Sequence, residues 1–343
     1  MRRQVLQTAF SAALVIAIFF FVLPQVADFA EVWDEIRAMT WLEVTELLAV
    51  ALWNLATYWL LWLAVLPGIT LPQAAVSTEA STAVANTVPG GSYLAVALNY
   101  SMIHSWGFRR SVVTLGLLIS GVWNNFAKLT IPVLALVALA VQGQASAGRL
   151  VAAALGLAAL VAAIVVFGLM LRTEAAAGRV GLLAGRVAAA PLKLIRRLPP
   201  VGWDVAVIRF REKTIGLLRT RWQWITLATV VGHLSLFLVL LVALRNIGVS
   251  EDEVSWAEAL AVFAFTRLVT AIPLTPGGLG VVELAMTAGL VEAGGNREQV
   301  VAAVLVYRFL TYVLPIPLGV VSYLFWRRNT SWRREPQPAL AVA

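Results

Sequence analysis

Ionisable side chains that fall inside long apolar segments are the residues of this sequence best suited to chemistry. A charged group at the centre of a bilayer costs roughly 2.5–3.5 kcal/mol or more, so each is a candidate site residue. Amide side chains in the same segments add hydrogen-bonding groups. The predicted substrate-binding residues are Glu79, Asn86, Asn124, Asn125, Lys128, Arg267, Glu283 and Arg308.

The charges of these residues predict two ion pairs and one cation left for a ligand. Glu79 is expected to pair with Lys128, and Glu283 with Arg267. Arg308 then remains, and a guanidinium group can bind a phosphate or carboxylate through two parallel hydrogen bonds. In the alternative interpretation the pairs only hold helices in register, and Glu283 is a first-turn acid that complements a helix dipole.

The composition places these charges in a membrane protein. Hydrophobic residues make up 60% of the 343 positions and charged residues 13%, so lipid must cover much of the surface. The net charge is +8, and most basic residues flank apolar segments, which favours an anionic membrane surface over nucleic acid as the partner.

Other function classes find little support in the residues. The chain has no cysteine and two histidines, His104 and His233, which argues against a thiol nucleophile and a histidine-rich metal site. The sequence contains neither a Walker loop nor a Gly-x-Ser-x-Gly motif. We therefore predict no catalytic residue, no metal and no cofactor.

Six segments are apolar and long enough to cross a bilayer as helices, for which about 20 residues are needed. They are residues 5–23, 44–66, 112–140, 150–171, 222–244 and 299–326. Two more apolar stretches, 73–104 and 255–292, are interrupted by Pro-Gly-Gly, and each half of about 15 residues is too short to span. Each stretch predicts a re-entrant hairpin. The residues of the breaks are Pro89, Gly90, Gly91, Pro276, Gly277, Gly278 and Gly280.

The positions of the basic residues predict an all-α integral membrane protein with both termini in the cytoplasm, in a bacterial-type inner membrane. The order span, hairpin, span then occurs twice with opposite orientation, which is an inverted repeat. A chance coincidence of two Pro-Gly-Gly sequences is the alternative. The predicted parts are residues 1–171, a basic interfacial linker 172–221, residues 222–326 and a disordered tail 327–343.

Three stretches of the sequence resemble a known family. Residues 265–283, FTRLVTAIPLTPGGLGVVE, and residues 307–319, YRFLTYVLPIPLG, resemble the lysylphosphatidylglycerol synthase transmembrane-region family, also called flippase-like domain proteins. Residues 85–91, ANTVPGG, resemble its N-terminal counterpart, and the resemblance covers about residues 5–326. The positions that match the family's motifs are Arg267, Pro276, Gly277, Gly278, Gly280, Glu283 and Arg308.

This resemblance implies a membrane domain that, in bifunctional members, moves an aminoacylated phospholipid between leaflets. Those members carry a cytosolic aminoacyl-transferase domain downstream. In this sequence 17 residues follow Trp326, so we expect the synthase activity to be absent and lysylphosphatidylglycerol not to be the substrate. Stand-alone relatives are implied to move other lipids, including polyprenyl-phosphate carriers.

The expected function is therefore a flippase for an anionic lipid, either a phospholipid or a polyprenyl-phosphate carrier, and not an enzyme. Membrane lipids are the expected partners, and a homo-oligomer is left open. One alternative is a polyprenyl-phosphate-dependent glycosyltransferase that uses the acids of the first outer loop, Asp28, Glu31, Asp34 and Glu35. A membrane scaffold with every intramembrane charge paired and no cavity is another.

Overall fold

The computed structural model describes residues 29–88, 91–143, 147–194, 202–269 and 278–335. The predicted first span, 5–23, lies outside the described residues, as do Asp28 and the last eight positions of the predicted tail. Four of the break residues, Pro89, Gly90, Pro276 and Gly277, also lie outside them.

The described chain is built from α-helices, as the sequence predicts. In order they are α1 (Phe29–Ala38), α2 (Trp41–Val65), α3 (Leu71–Thr87), α4 (Gly91–Ser105), α5 (Arg110–Val141), α6 (Ala147–Arg172), α7 (Glu174–Leu194), α8 (Trp203–Ile247), α9 (Trp256–Val269), α10 (Val281–Glu292), α11 (Arg297–Arg308) and α12 (Pro315–Arg328). A π-helical turn, Phe309–Val313, joins α11 to α12.

Five helical segments of the described residues are long and apolar enough to cross a membrane. They are Trp41–Val65, Arg110–Val141, Leu150–Arg172, Trp203–Ile247 and Arg297–Arg328. Each covers one of the predicted spans, with a difference of one residue at the end of the span 44–66, so five of the six predictions are confirmed as long apolar helices. The lipid-facing character is clearest in α6, where Leu155, Ile164 and neighbouring apolar side chains are exposed.

Local sequence signals explain where several helices begin. Thr40 and Glu43 form a capping box at the start of α2, in which the Thr40 backbone N–H donates to Glu43 Oε2 at 2.6 Å. Thr70 and Gln73 repeat this arrangement at α3. Such reciprocal bonds satisfy backbone donors that a helix N-terminus leaves without partners.

Both interrupted stretches form a pair of short helices. The first helix pair is α3–α4, with 17 and 15 residues, and the second helix pair is α9–α10, with 14 and 12 residues. At 1.5 Å per residue none exceeds about 26 Å, less than the ~30 Å hydrocarbon core. A Cβ on Gly91 would lie 2.3 Å from the Val84 carbonyl oxygen, so the return of the chain against α3 requires glycine there.

The two halves of the chain are interleaved. Helix α2 packs against α8, α3 of the first half packs against α12 of the second, and α9 of the second half packs against α5 of the first. Gly319 permits the closest of these approaches, because a Cβ there would lie 2.2 Å from the Glu79 carbonyl oxygen and 2.4 Å from the Ala83 Cβ. Helices from both halves therefore surround one central region.

The predicted linker contains α7 and the beginning of a much longer helix. Helix α8 runs without interruption for 45 residues, about 68 Å, so the second basic stretch and the span 222–244 belong to one helix. Helix α7 packs against the first part of α8, where a Cβ on Gly181 would lie 2.6 Å from the Trp203 carbonyl oxygen. The Arg211 Nε group donates to the Leu171 carbonyl oxygen at 3.0 Å and thus binds the end of α6.

Candidate functional site

A polar cavity of about 600 Å³ lies between the two helix pairs and the long helices around them. Seven residues that the sequence singled out line it, although they come from distant parts of the chain: Glu79, Asn86, Asn124, Lys128, Arg267, Gly278 and Arg308. A pocket of about 660 Å³ between α2 and α8 contains none of these residues and is mainly apolar. The polar cavity is therefore the candidate site.

An ion pair beside the cavity joins Glu283 to Arg308. The Arg308 Nε group donates to Glu283 Oε1 at 2.7 Å, and the Gly280 backbone N–H donates to Glu283 Oε2 at 2.7 Å. Glu283 is 1% exposed, and the Arg308 side chain is 12% exposed. The carboxylate thus has a partner on each oxygen, and one of them is the backbone at the start of α10.

This pair corrects the predicted pairing of charges. Glu283 was expected to pair with Arg267, and Arg308 was expected to have no carboxylate partner; both expectations are wrong. The physical reason is helix packing, because α10 packs against α11 and the first turn of α10 directs the Glu283 carboxylate to Arg308. The interpretation of Glu283 as a first-turn acid agrees with its bond from Gly280.

Arg308 also belongs to a chain of contacts that connects the two helix pairs. Its guanidinium carbon lies 4.5 Å from the centroid of the Tyr312 ring. The Tyr312 hydroxyl donates to the Asn86 carbonyl oxygen, and Asn86 Nδ2 donates to the Tyr312 carbonyl oxygen at 2.9 Å. The chain therefore runs from Glu283 in α10 through the π-helical turn to Asn86 at the end of α3.

Glu79 has a different partner from the one predicted. It is 6% exposed, and its Oε1 accepts a hydrogen bond from Trp59 Nε1 at 2.8 Å. The predicted Glu79–Lys128 ion pair is wrong, since the two charged groups are more than 4.0 Å apart. Helix α3 packs against α2, α4 and α12, whereas Lys128 is on α5, which packs against α9.

Lys128 lines the cavity without a nearby acid. No carboxylate of the described residues lies within 4.0 Å of its ammonium group. The ion pairs found among the described residues are Arg308–Glu283 and Arg245–Glu251. Arg267, on α9, lines the same cavity. An ammonium group inside a membrane protein is costly to leave without a counter-charge, so this position is suited to an anion.

The neighbouring amides separate in the structure. Asn124 lines the cavity and donates to the Ser120 carbonyl oxygen at 2.8 Å. Asn125 is exposed, donates to the Gly121 carbonyl oxygen at 2.9 Å and does not line the cavity. Consecutive residues of a helix point about 100° apart, and in α5 the side that carries Asn124 is the one that faces the cavity.

Several residues that line the cavity or contact its lining were not predicted from the sequence. Tyr312 could have been found, because it lies four residues after Arg308 and therefore on the same helix face. Trp59 gives no such signal, since its contact with Glu79 joins two different helices. Among the described residues, buried oxygen atoms without a hydrogen-bond partner also line the cavity: Thr78 Oγ1, Glu79 Oε2, Asn99 Oδ1 and Ser120 Oγ.

The acids proposed for the alternative enzyme lie elsewhere. Glu31 and Asp34 are exposed on α1, and Glu35 is partly exposed on the same helix. None of these three lines the polar cavity. Their position is typical of the solvated face of an amphipathic helix.

Comparison with known proteins identifies relatives of this sequence. The sequence model of the family described as Lysylphosphatidylglycerol synthase TM region matches residues 5–319, which confirms the resemblance noted from the motifs. A phosphatidylglycerol lysyltransferase from Staphylococcus xylosus is 27% identical over 105 residues, or 31% of this chain and 12% of that protein. The enzyme of the same name from Staphylococcus haemolyticus is 26% identical over 108 residues, 32% of this chain and 11% of that protein. The match thus spans about an eighth of these relatives.

Proposed function

This chain belongs to the lysylphosphatidylglycerol synthase TM region family, and from this membership and the polar cavity we propose that it is a membrane translocase for an anionic lipid. The headgroup phosphate occupies the polar cavity, while the acyl or prenyl chains stay in the surrounding bilayer. The observation that carries the proposal is Lys128, a cation that lines the cavity with no carboxylate of the described residues within 4.0 Å.

The charges around the cavity favour a phosphate-bearing ligand. Glu283 balances the charge of Arg308. Two further cations, Lys128 and Arg267, line the cavity. Glu79 is the acid among the described lining residues, and its carboxylate does not pair with Lys128. The lining therefore has an excess of positive charge in a region of low dielectric constant, where attraction for an anion is strong.

The size of the cavity suits a headgroup better than a whole lipid. About 600 Å³ is within the range of 300–1,000 Å³ that is usual for small-molecule sites. A lipid with long chains does not fit this volume, so the chains remain outside. This agrees with a protein that carries the polar group across the hydrocarbon region and leaves the chains in lipid.

The contacts between helices support an inverted repeat with two re-entrant hairpins. The first unit is α2, α3–α4 and α5, and the second is the apolar part of α8, α9–α10 and α11–α12. In this repeat α2 corresponds to α8, α3 to α9, and α5 to α11–α12. The packing of α3 on α12 therefore corresponds to the packing of α9 on α5, and α2 packs against its own counterpart, α8. Such repeats with discontinuous helices place transporter sites between the two units.

Two hairpins that enter the membrane from opposite sides could each close the cavity to one side. Transport requires that the protein interconvert between an inward-open and an outward-open state, and a ligand shifts this equilibrium only by as much as its affinities for the two states differ. Both termini are proposed to be cytoplasmic, in a bacterial inner membrane, because the basic residues concentrate on that side.

Lipid movement by the purified protein tests this proposal. The full chain is reconstituted into vesicles that contain phosphatidylglycerol labelled with a nitrobenzoxadiazole group on an acyl chain. Dithionite bleaches only the outer leaflet unless the protein moves the labelled lipid outward. We expect Lys128→Gln to slow the protein-dependent bleaching at least about 10-fold, equivalent to about 1.4 kcal/mol for loss of one charged contact.

The matched control is Lys213→Gln, the same chemical change at an exposed position of α8 that does not line the cavity. Its rate should equal that of the unsubstituted protein. Bleaching no faster than in protein-free vesicles would refute the translocase. Equal rates for both lysine variants would refute the assignment of the headgroup to Lys128.

A further inference from the structure

Glu79 is a buried acid that the headgroup site does not explain. The residue is 6% exposed, and one oxygen of its carboxylate, Oε1, accepts a hydrogen bond from Trp59 Nε1. The other oxygen, Oε2, has no hydrogen-bond partner among the described residues, and the residue lines the cavity. A carboxylate held in this way is costly, and the binding of a cation or a proton removes the cost.

The groups that surround Glu79 leave its charge without a close cation. Helix α2 contributes Tyr58 to the lining of the cavity and Trp59 as the hydrogen-bond donor to Glu79, and α12 approaches the backbone of Glu79 through Gly319. Lys128 and Arg267 line the cavity from α5 and α9, but neither forms an ion pair with Glu79. The other titratable or charged residues of the helices that pack against α3 do not line the cavity: Glu43, Glu46, Tyr93, Tyr100, His104, Tyr323, Arg327 and Arg328.

We propose that Glu79 binds and releases a proton during each transport cycle, so that the protein moves an anionic lipid together with a proton. This inference rests on the proposed translocase function. The carboxylate takes a proton from water on one side of the membrane and returns it to water on the other. No bond other than the O–H bond forms or breaks.

The geometry of the cavity links the proton to the lipid. Among the described residues that line the cavity, Glu79 is the acid, and Lys128, Arg267 and Arg308 are the cations. Protonation of Glu79 removes the negative charge that repels a phosphate there. By reciprocity, a bound phosphate favours the protonated carboxyl group to the same degree, so the two ligands bind together.

A proton fits this site better than a divalent metal. Divalent cations take several oxygen ligands, usually with more than one carboxylate. In the described ranges no group of three or more histidine or acidic residues could hold a metal ion, and Glu79 is the acid at this cavity. One carboxyl group with one open oxygen is sufficient for a proton.

Vesicles with an imposed pH difference test the coupling. The full chain is reconstituted with the labelled phosphatidylglycerol, and outward movement is measured with the lumen one pH unit below or above the outside. We expect outward movement to be about 10-fold faster with the acidic lumen than with the alkaline lumen. A lumenal pH dye should report a matching loss of protons. Glu79→Gln, which retains an oxygen for Trp59, should move lipid at one rate in both gradients.

Each outcome bears on one claim. Equal rates of the unsubstituted protein in both gradients would overturn the coupling and leave the translocase standing, whereas no lipid movement at all would overturn the translocase. A response to a sodium difference but not to a pH difference would also overturn the proton assignment. If Glu79→Gln does not fold, the unsubstituted protein in the two gradients, together with the dye, still decides the question.

Discussion

The Arg308–Glu283 pair allows a stability prediction that depends on burial. Arg308→Gln removes the Nε donor and leaves Glu283, which is 1% exposed, with the hydrogen bond from the Gly280 backbone N–H. Breaking a buried pair and leaving the other charge in place costs about 3–5 kcal/mol. The contact of the guanidinium with the Tyr312 ring is lost as well, at a cost of about 0.5–2 kcal/mol.

Removal of the acid of this pair should destabilise the protein less than removal of the arginine. Glu283→Gln leaves Arg308 with its side chain 12% exposed and facing the cavity, where the charge keeps access to water. The glutamine oxygen can still accept from the Gly280 backbone N–H. We therefore expect a cost of about 1.5–3 kcal/mol, the contribution of one hydrogen bond to a charged group.

Thermal unfolding in detergent micelles, followed by the fluorescence of the 13 tryptophans, measures these differences. At about 2 °C per kcal/mol for a chain of this size, Arg308→Gln should lower Tm by roughly 7–14 °C. The double variant Arg308→Gln/Glu283→Gln should be more stable than the sum of the single effects by about 0.5–3 kcal/mol. Additive effects, or an unchanged Tm for Arg308→Gln, would refute the view of this pair as a buried and structural contact.

Two further predictions concern packing and topology. Gly319→Ala should destabilise the protein by about 1–3 kcal/mol, because its Cβ would overlap the backbone of α3. Gly216→Ala, with open space around it, should be neutral or stabilising in the same unfolding measurement. Single cysteines in this cysteine-free chain should label from one side at Leu71 and Arg109, which flank the first helix pair, and from the other side at Gln142. Labelling of Leu71 and Arg109 from opposite sides would show that the pair spans the membrane.

The positions of the helices and of their interruptions follow from the sequence itself. Apolar length predicts the spans in α2, α5 and α6, and Pro-Gly-Gly predicts the interruptions at residues 88–91 and after residue 269. These are local properties, because a backbone in lipid must bond internally and proline or glycine prevents this at its own position. The identity of the buried ionisable residues is local for the same reason, and seven of the singled-out positions do line one cavity.

The partners of those residues were decided only by the tertiary structure. Three cations and two acids can be counted in the sequence, yet the count assigns Glu283 to the wrong arginine and Glu79 to Lys128. An ion pair requires its atoms to be within about 4 Å, and this depends on which helices pack together and on how each is rotated. The bond from Trp59 to Glu79 and the contacts of Arg308 with Glu283 and Tyr312 arise from such packing. The packing of α10 on α11 places a carboxylate at Arg308 and none at Lys128. In the proposed function Lys128 therefore binds the headgroup, the role that the sequence had predicted for Arg308.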